Sequence, residues 1–302
     1  MSRGVRIRRR QLQTAVRHFR RRSDGRRITL VATIHAGLPS YFLELKDLIC
    51  DIEDAGAVVY CEGLDRFDGP PEPEPTPEEQ EFLDRWERQE QGDASWRERE
   101  QGFAAQRDLL THHSWRNIDL PARGMVRLVG LDGMRQWLDR QATADDDPLT
   151  QLASRFNYLF FLRELASWRP SVHRRVAARE HPLLYTRRRE IILERLRTAA
   201  ADRDIVAAYG CGHHRAMCAD LRAHGFRQTS VSWHTAHPFP SLIEQARLIK
   251  QLKLAQQNAA VRPTTDPVTA STTATSGDGD EDTANRTHPS PLPGEVERGH
   301  VR

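Results

Sequence analysis

The chain has 302 residues, 38% of them hydrophobic and 29% charged, with a formal net charge of +3 at pH 7. That composition supports one sizeable buried core beneath a well-solvated surface, as does the mean hydropathy of −0.67. No run of 18 or more apolar residues occurs, which excludes a bilayer-spanning helix, and the small net charge is a difference between large segregated terms that names no partner.

The first 27 residues carry eleven arginines against Asp24 alone. Val5, Leu12, Val16 and Phe19 recur among them at roughly helical spacing, and the segment reads as a basic arm: a solvated, frayed terminus, or a weak contact for anionic lipid or nucleic acid. Phe19 is the arm's only aromatic, too little for a base-stacking platform. Next comes an apolar run from Ile28 to Ile34 that is too short for a signal-peptide core. A cytoplasmic protein is the expectation, and Cys50, Cys61, Cys211 and Cys218, without C-x-x-C spacing and inside apolar segments, agree as reduced thiols.

Residues 28–63 read as strand, helix, strand. An acidic, Pro-Glu-rich insertion follows at about 65–100, with helix expected over EEQEFLDRWERQE. Further expectations are a helix from Glu98 to His113, a strand at 125–132 and helices at 133–141, 148–168 and 185–200. A second strand-helix-strand unit at 203–235 and a last helix reaching about 257 complete the domain. Residues 260–302, rich in Thr, Ser, Pro, Gly and Asp, read as a disordered tail. The fold class that results is α/β, with a central mixed sheet from two related strand-helix-strand units packed by helices.

The chemistry-bearing residues stand where strands end. His35 closes the run Leu30–Ile34 and precedes Ala-Gly-Leu-Pro, and His213 follows Gly210-Cys211-Gly212 after the run Ile205–Tyr209. In open α/β sheets ligands bind at the carboxyl ends of the strands, so the two histidines are expected across one shared site. Glu62 ends the apolar run Ala57–Cys61, where a carboxylate has to be solvated in a cleft, paired or metal-bound, because a bare buried charge costs several kcal/mol. His213 is the expected cleft residue of the His213-His214 pair and His214 the helix-start residue. A zinc knuckle from Cys211, His213, His214 and Cys218 lacks two separated ligand pairs. A nucleophilic Cys211 lacks an elbow context.

The stretches TIHAGLPSYFLELKDLI, AVVYCEGL and IVAAYGCGHHRAMCADLRAHGF resemble the two halves of the TraB/PrgY/GumN/Tiki family, with paired Gly-x-x-His motifs and an erythromycin-esterase/ChaN-like fold. The resemblance covers about residues 28–235. It implies that His35 and His213 are the motif histidines, that Glu62 is the acid after the second strand, and that Arg188 and Asp119 belong to the site. Ala32 stands where the family has Gly, and Arg189 where it has Asn or Asp. The Tiki branch implies a metal-dependent hydrolase acting on a peptide or amide bond, with His35, Glu62 and His213 as ligands of a divalent metal ion or as acid/base groups and Arg188 stabilising an oxyanion or orienting Glu62. A noncatalytic regulatory or peptide-binding protein that keeps the fold is the alternative.

Overall fold

A computed structural model describes residues 4–64, 72–141, 163–164, 166, 182–198 and 203–261. The chain opens with β1 (Val5–Arg8) and β2 (Gln11–Arg21), then β3 (Arg27–Thr33), the short β4 (Ala36–Gly37), α1 (Pro39–Asp54) and β5 (Val58–Cys61). The middle segment holds α2 (Pro77–Gln101), β6 (Ala104–Ala105), α3 (Gln106–Leu109), α4 (Ala122–Val129) and α5 (Leu131–Gln141). After it come α6 (Pro182–Thr198), β7 (Ile205–Gly210), α7 (Cys211–Ala223), β8 (Phe226–Pro238) and α8 (Leu242–Val261). The architecture is α/β: one mixed sheet packed by helices.

At the sheet's centre β7 lies between β3 and β5 and is parallel to both. Strands buried on both faces need near-continuous apolar sequence, and Ile205-Val206-Ala207-Ala208-Tyr209 supplies it. Its side chains divide by alternation. Val206 and Ala208 join a core with Tyr41, Phe42, Leu45 and Ile49 of α1, whereas Ile205, Ala207 and Tyr209 join a second core with Ile192 and Leu196 of α6 and Met217, Cys218 and Leu221 of α7. One helical layer therefore covers each face.

The N-terminal segment corrects its reading as a basic arm. Residues 5–21 are an antiparallel hairpin inside the sheet, and β2 pairs with β1 at one end, with β3 at the other, and with β8 along its whole length. Leu12, Val16 and Phe19 are fully buried. The spacings of seven, four and three suit a helix, and the strand accommodates the three-residue step from Val16 to Phe19 with a register shift between His18 and Phe19; the turn that makes the hairpin is cryptic. Arg9 (φ 49°) and Arg10 (φ 60°) take the left-handed conformation that a two-residue hairpin requires, without the Asn-Gly signature that normally marks it. Several of the arginines are engaged within the fold: Arg10 with Glu244, Arg21 with Asp24, and Arg27 with Asp204.

Gly4 shows how closely this segment is packed. A Cβ there would lie 2.7 Å from the Cys211 carbonyl oxygen and 2.8 Å from the His214 Cβ. Gly4→Ala is predicted to destabilise the protein by about 1–3 kcal/mol, the usual cost of overpacking. Thermal melting checks this, and an unchanged melting temperature would show that the segment is not packed.

Two other expectations shift. The strand expected at 125–132 is helical: α4 and α5 meet at Gly130 (φ 86°), and Val126, Met134 and Leu138 form a satellite cluster with Phe82 of α2. Val126, Met134 and Leu138, the buried apolar residues of α4 and α5, recur at the multiples of four that a helical face gives. The helix expected from Glu98 to His113 is broken, since α2 ends at Gln101 and a short strand and one helical turn follow. Within the acidic insertion α2 begins with a capping box, in which Thr76 N–H donates to Glu79 Oε2 (2.9 Å) and Glu79 N–H to Thr76 Oγ1 (3.2 Å). The expected helix at 148–168 lies almost wholly outside the described residues, and the tail at 260–302 does so from residue 262. Among the described residues no helix is long and apolar enough to cross a membrane.

Candidate functional site

Because β3, β5 and β7 run parallel, their carboxyl ends open on the same edge of the sheet. Glu62 follows β5 directly, Gly210 ends β7, His213 lies in the first turn of α7, and His35 is two residues past β3. The two expected histidines and the acid are thereby brought to one place.

Glu62 is buried and fully engaged. Its Oε2 accepts the Gly210 amide hydrogen at 2.6 Å, and its Oε1 accepts from the Arg188 guanidinium. Burial by itself pushes this carboxyl up, but Arg188, the neighbouring His213 and His35, and the Gly210 amide together hold it down at about 2. Glycine at 210 is what lets the carboxylate approach, since a Cβ there would lie 3.0 Å from Glu62 Oε2.

Arg188 reaches from α6 to bridge two acids, Glu62 and Asp119. Asp119 is buried, and its Oδ1 accepts the Leu120 amide hydrogen at 2.7 Å. Burial raises its pKa against the pull of Arg188. The segment carrying it is fastened to the sheet, for Tyr209 Oη accepts from Ile118 N–H and donates to Asn117 Oδ1, each at 3.2 Å. Arg195 of α6 also donates to the Ile118 carbonyl at 2.9 Å.

His213 is 8% exposed, and its Nδ1 has no hydrogen-bond partner. Burial lowers its pKa to about 4 although Glu62 pulls the other way, so the ring is neutral at pH 7. His35 is exposed at the rim and is an electrostatic neighbour of both Glu62 and His213. His214 turns away to the hairpin side, 1% exposed, where it serves as a buried residue of the helix start.

One residue at this edge escaped the sequence reading. Gln106, at the start of α3, donates its backbone N–H to the His35 carbonyl at 2.9 Å and its Nε2–H to the Glu62 carbonyl at 3.3 Å. It tethers the two loops that carry the site. A glutamine inside an expected helix offers no signal of that role. The thiol of Cys211 is pushed up to about 12 by burial and by the Glu62 charge, so it supplies no thiolate at neutral pH.

The donor types suit a divalent cation in part. A neutral imidazole with an unpartnered Nδ1 is the ligating form, but both Glu62 oxygens are occupied and the Arg188 cation lies beside them. Among the described residues no group of three or more His, Cys, Asp or Glu side chains is placed to hold a metal ion. No family model matches the chain, and neither a curated protein nor a solved structure matches it.

Proposed function

We propose that the chain is a TraB/Tiki-like hydrolase acting on a peptide or amide bond at the carboxyl edge of β3, β5 and β7. The observation that carries this reading is the fixed Glu62 carboxylate beside a neutral His213 whose Nδ1 is unengaged. In this reading His213 Nδ1 takes the proton of an attacking water, and Glu62 stabilises the imidazolium that forms. Arg188 and the Gly210 amide hold the carboxylate in place. His35, at the rim, orients the substrate carbonyl. A base held near 4 is weak, and Glu62 is the group that raises it.

The metal-dependent form of the reading, with His35, Glu62 and His213 as ligands, does not fit this arrangement, because Glu62 would have to leave Arg188. Elemental analysis of the purified protein separates the two forms: stoichiometric divalent ion would favour the metal site and require Arg188 to move.

Activity is tested by incubating the protein with a mixed-peptide library and reading new termini by mass spectrometry. Glu62→Gln and His213→Ala are each predicted to lower turnover by about 100-fold or more, the usual worth of a positioned proton acceptor. Absence of any turnover, with peptide retained at the cleft, would instead support the noncatalytic reading, which the Ala32 and Arg189 departures favour. The third idea, an anionic lipid or nucleic-acid contact through residues 1–27, is narrowed by the sheet. Deleting the segment would remove β1 and β2, so the informative change is Arg8→Glu with Arg20→Glu, both at exposed positions.

A further inference from the structure

Among the described residues β8 pairs with β2 alone, and the one backbone hydrogen bond received by its other edge is that from Leu38 N–H to the Ala236 carbonyl at 2.9 Å. The strand is 13 residues long, and Thr229, Ser230, Val231 and Ser232 are all exposed, Val231 by 40%. A strand edge presents unpaired N–H and C=O groups, which proteins ordinarily guard with charge, proline or irregularity. From Gln228 to His237 this strand contains no Asp, Glu, Lys, Arg or Pro. Its two register shifts against β2 lie at the margins, leaving Ser230–Thr235 regular against Gln13–His18.

We infer that this edge is where a second copy of the chain docks, β8 against β8 in antiparallel register with the two-fold axis through Ser232. A two-fold normal to the sheet keeps each face continuous, so residues two apart on one face are paired across the axis. Val231 and Trp233 share a face, standing opposite Arg17 and Ala15 of β2. The two-fold sets Val231 of each copy across from Trp233 of the other, twice over. β-branched and aromatic cross-strand pairs are among the stabilising combinations in antiparallel sheets. Ser230 then faces His234, and because the run is uncharged no like charges are opposed. Strand addition is the mode that an unguarded edge invites, and the self-complementary pairing selects a second copy as the occupant. The paired run is short, which makes the association weak and concentration-dependent.

Light scattering coupled to size exclusion on the full chain, raised to about 100 µM, is expected to show a mass rising toward twice that of the monomer. Ser232→Lys sets two ammonium groups face to face at the axis and is expected to give a monomer, whereas Ser232→Ala, which removes the same Ser232 Oγ to His234 Nε2 hydrogen bond (2.9 Å) without adding charge, is expected to keep the dimer. Ser232→Cys provides a geometric check, since directly opposed residues of an antiparallel pair lie about 4.5–5.5 Å apart, within disulfide reach. It is expected to yield a reducible covalent dimer that the wild type does not form. A wild-type protein that stays monomeric, or a dimer that survives Ser232→Lys and fails to crosslink through Ser232→Cys, would overturn the inference.

Discussion

Replacing Arg188 by methionine is expected to lower stability by about 3–5 kcal/mol, the range found when one partner of a buried charge cluster is removed. Glu62 and Asp119 are 6% and 1% exposed, and both depend on the same guanidinium. Without it two buried carboxylates face each other with no cation between them, and the Glu62 pKa rises because burial is then opposed by less positive charge. For a domain of this size that cost corresponds to a fall in melting temperature of about 10 °C. Arg188→Lys keeps the charge and loses the planar fork that spans both acids, so it is expected to fall between the wild type and methionine. The double variant Glu62→Gln with Arg188→Met should recover part of the loss, which identifies the coupling by a double-mutant cycle. A loss below about 1 kcal/mol for Arg188→Met, the size of an exposed ion pair, would mean that the cluster is solvated and the site is not built as described.

Acid should weaken the fold before Glu62 titrates. His214 is buried among the hairpin and α7, and its pKa is lowered from 6.5 to about 3, by burial first and by Arg17 second. His213 is lowered to about 4. A group whose folded pKa lies below its unfolded value leaves the unfolded chain with more bound protons between the two. Stability therefore declines as pH falls from about 6.5 toward 3 and levels off beneath that. For His214 the full span is on the order of 3–5 kcal/mol. Glu62, lowered to about 2, adds a loss in the same direction, because its stabilisation is complete above its ordinary value of 4.5 and disappears as pH drops through 2. Urea titrations at pH 7, 5.5 and 4.5 measure the slope. His214→Gln should flatten it while leaving a remainder from His213. A slope identical to that of the wild type would show that His214 is solvated.

Glu62 and Arg188 illustrate the division between what could be read locally and what could not. That a carboxylate closing an apolar strand needs a partner follows from desolvation energy alone. That the partner is an arginine 126 residues away, shared with Asp119, depends on where α6 docks. The metal expectation turned on the same point, since His35, Glu62 and His213 are suitable donors by type, yet the guanidinium and the Gly210 amide already occupy the acid.

What the sequence by itself determined is what short-range periodicity encodes: the buried parallel strands β3, β5 and β7, the helices α1 and α7 that follow β3 and β7, the strand ends that carry His35, Glu62 and His213, and the α/β class. Each follows from side-chain alternation or an apolar run with a loop signal after it, which requires no knowledge of distant residues. Only the tertiary structure decided that the arginine-rich N-terminus is a hairpin, that β8 leaves its own unit to pair with β2, that residues 125–132 are helical, and that Gln106 joins the site. In each case the deciding contact is with residues distant in the chain. An apolar spacing is ambiguous until a neighbouring surface selects one face, a left-handed turn at Arg9 and Arg10 carries no glycine to announce it, and backbone pairing is satisfied by whichever strand packing brings alongside.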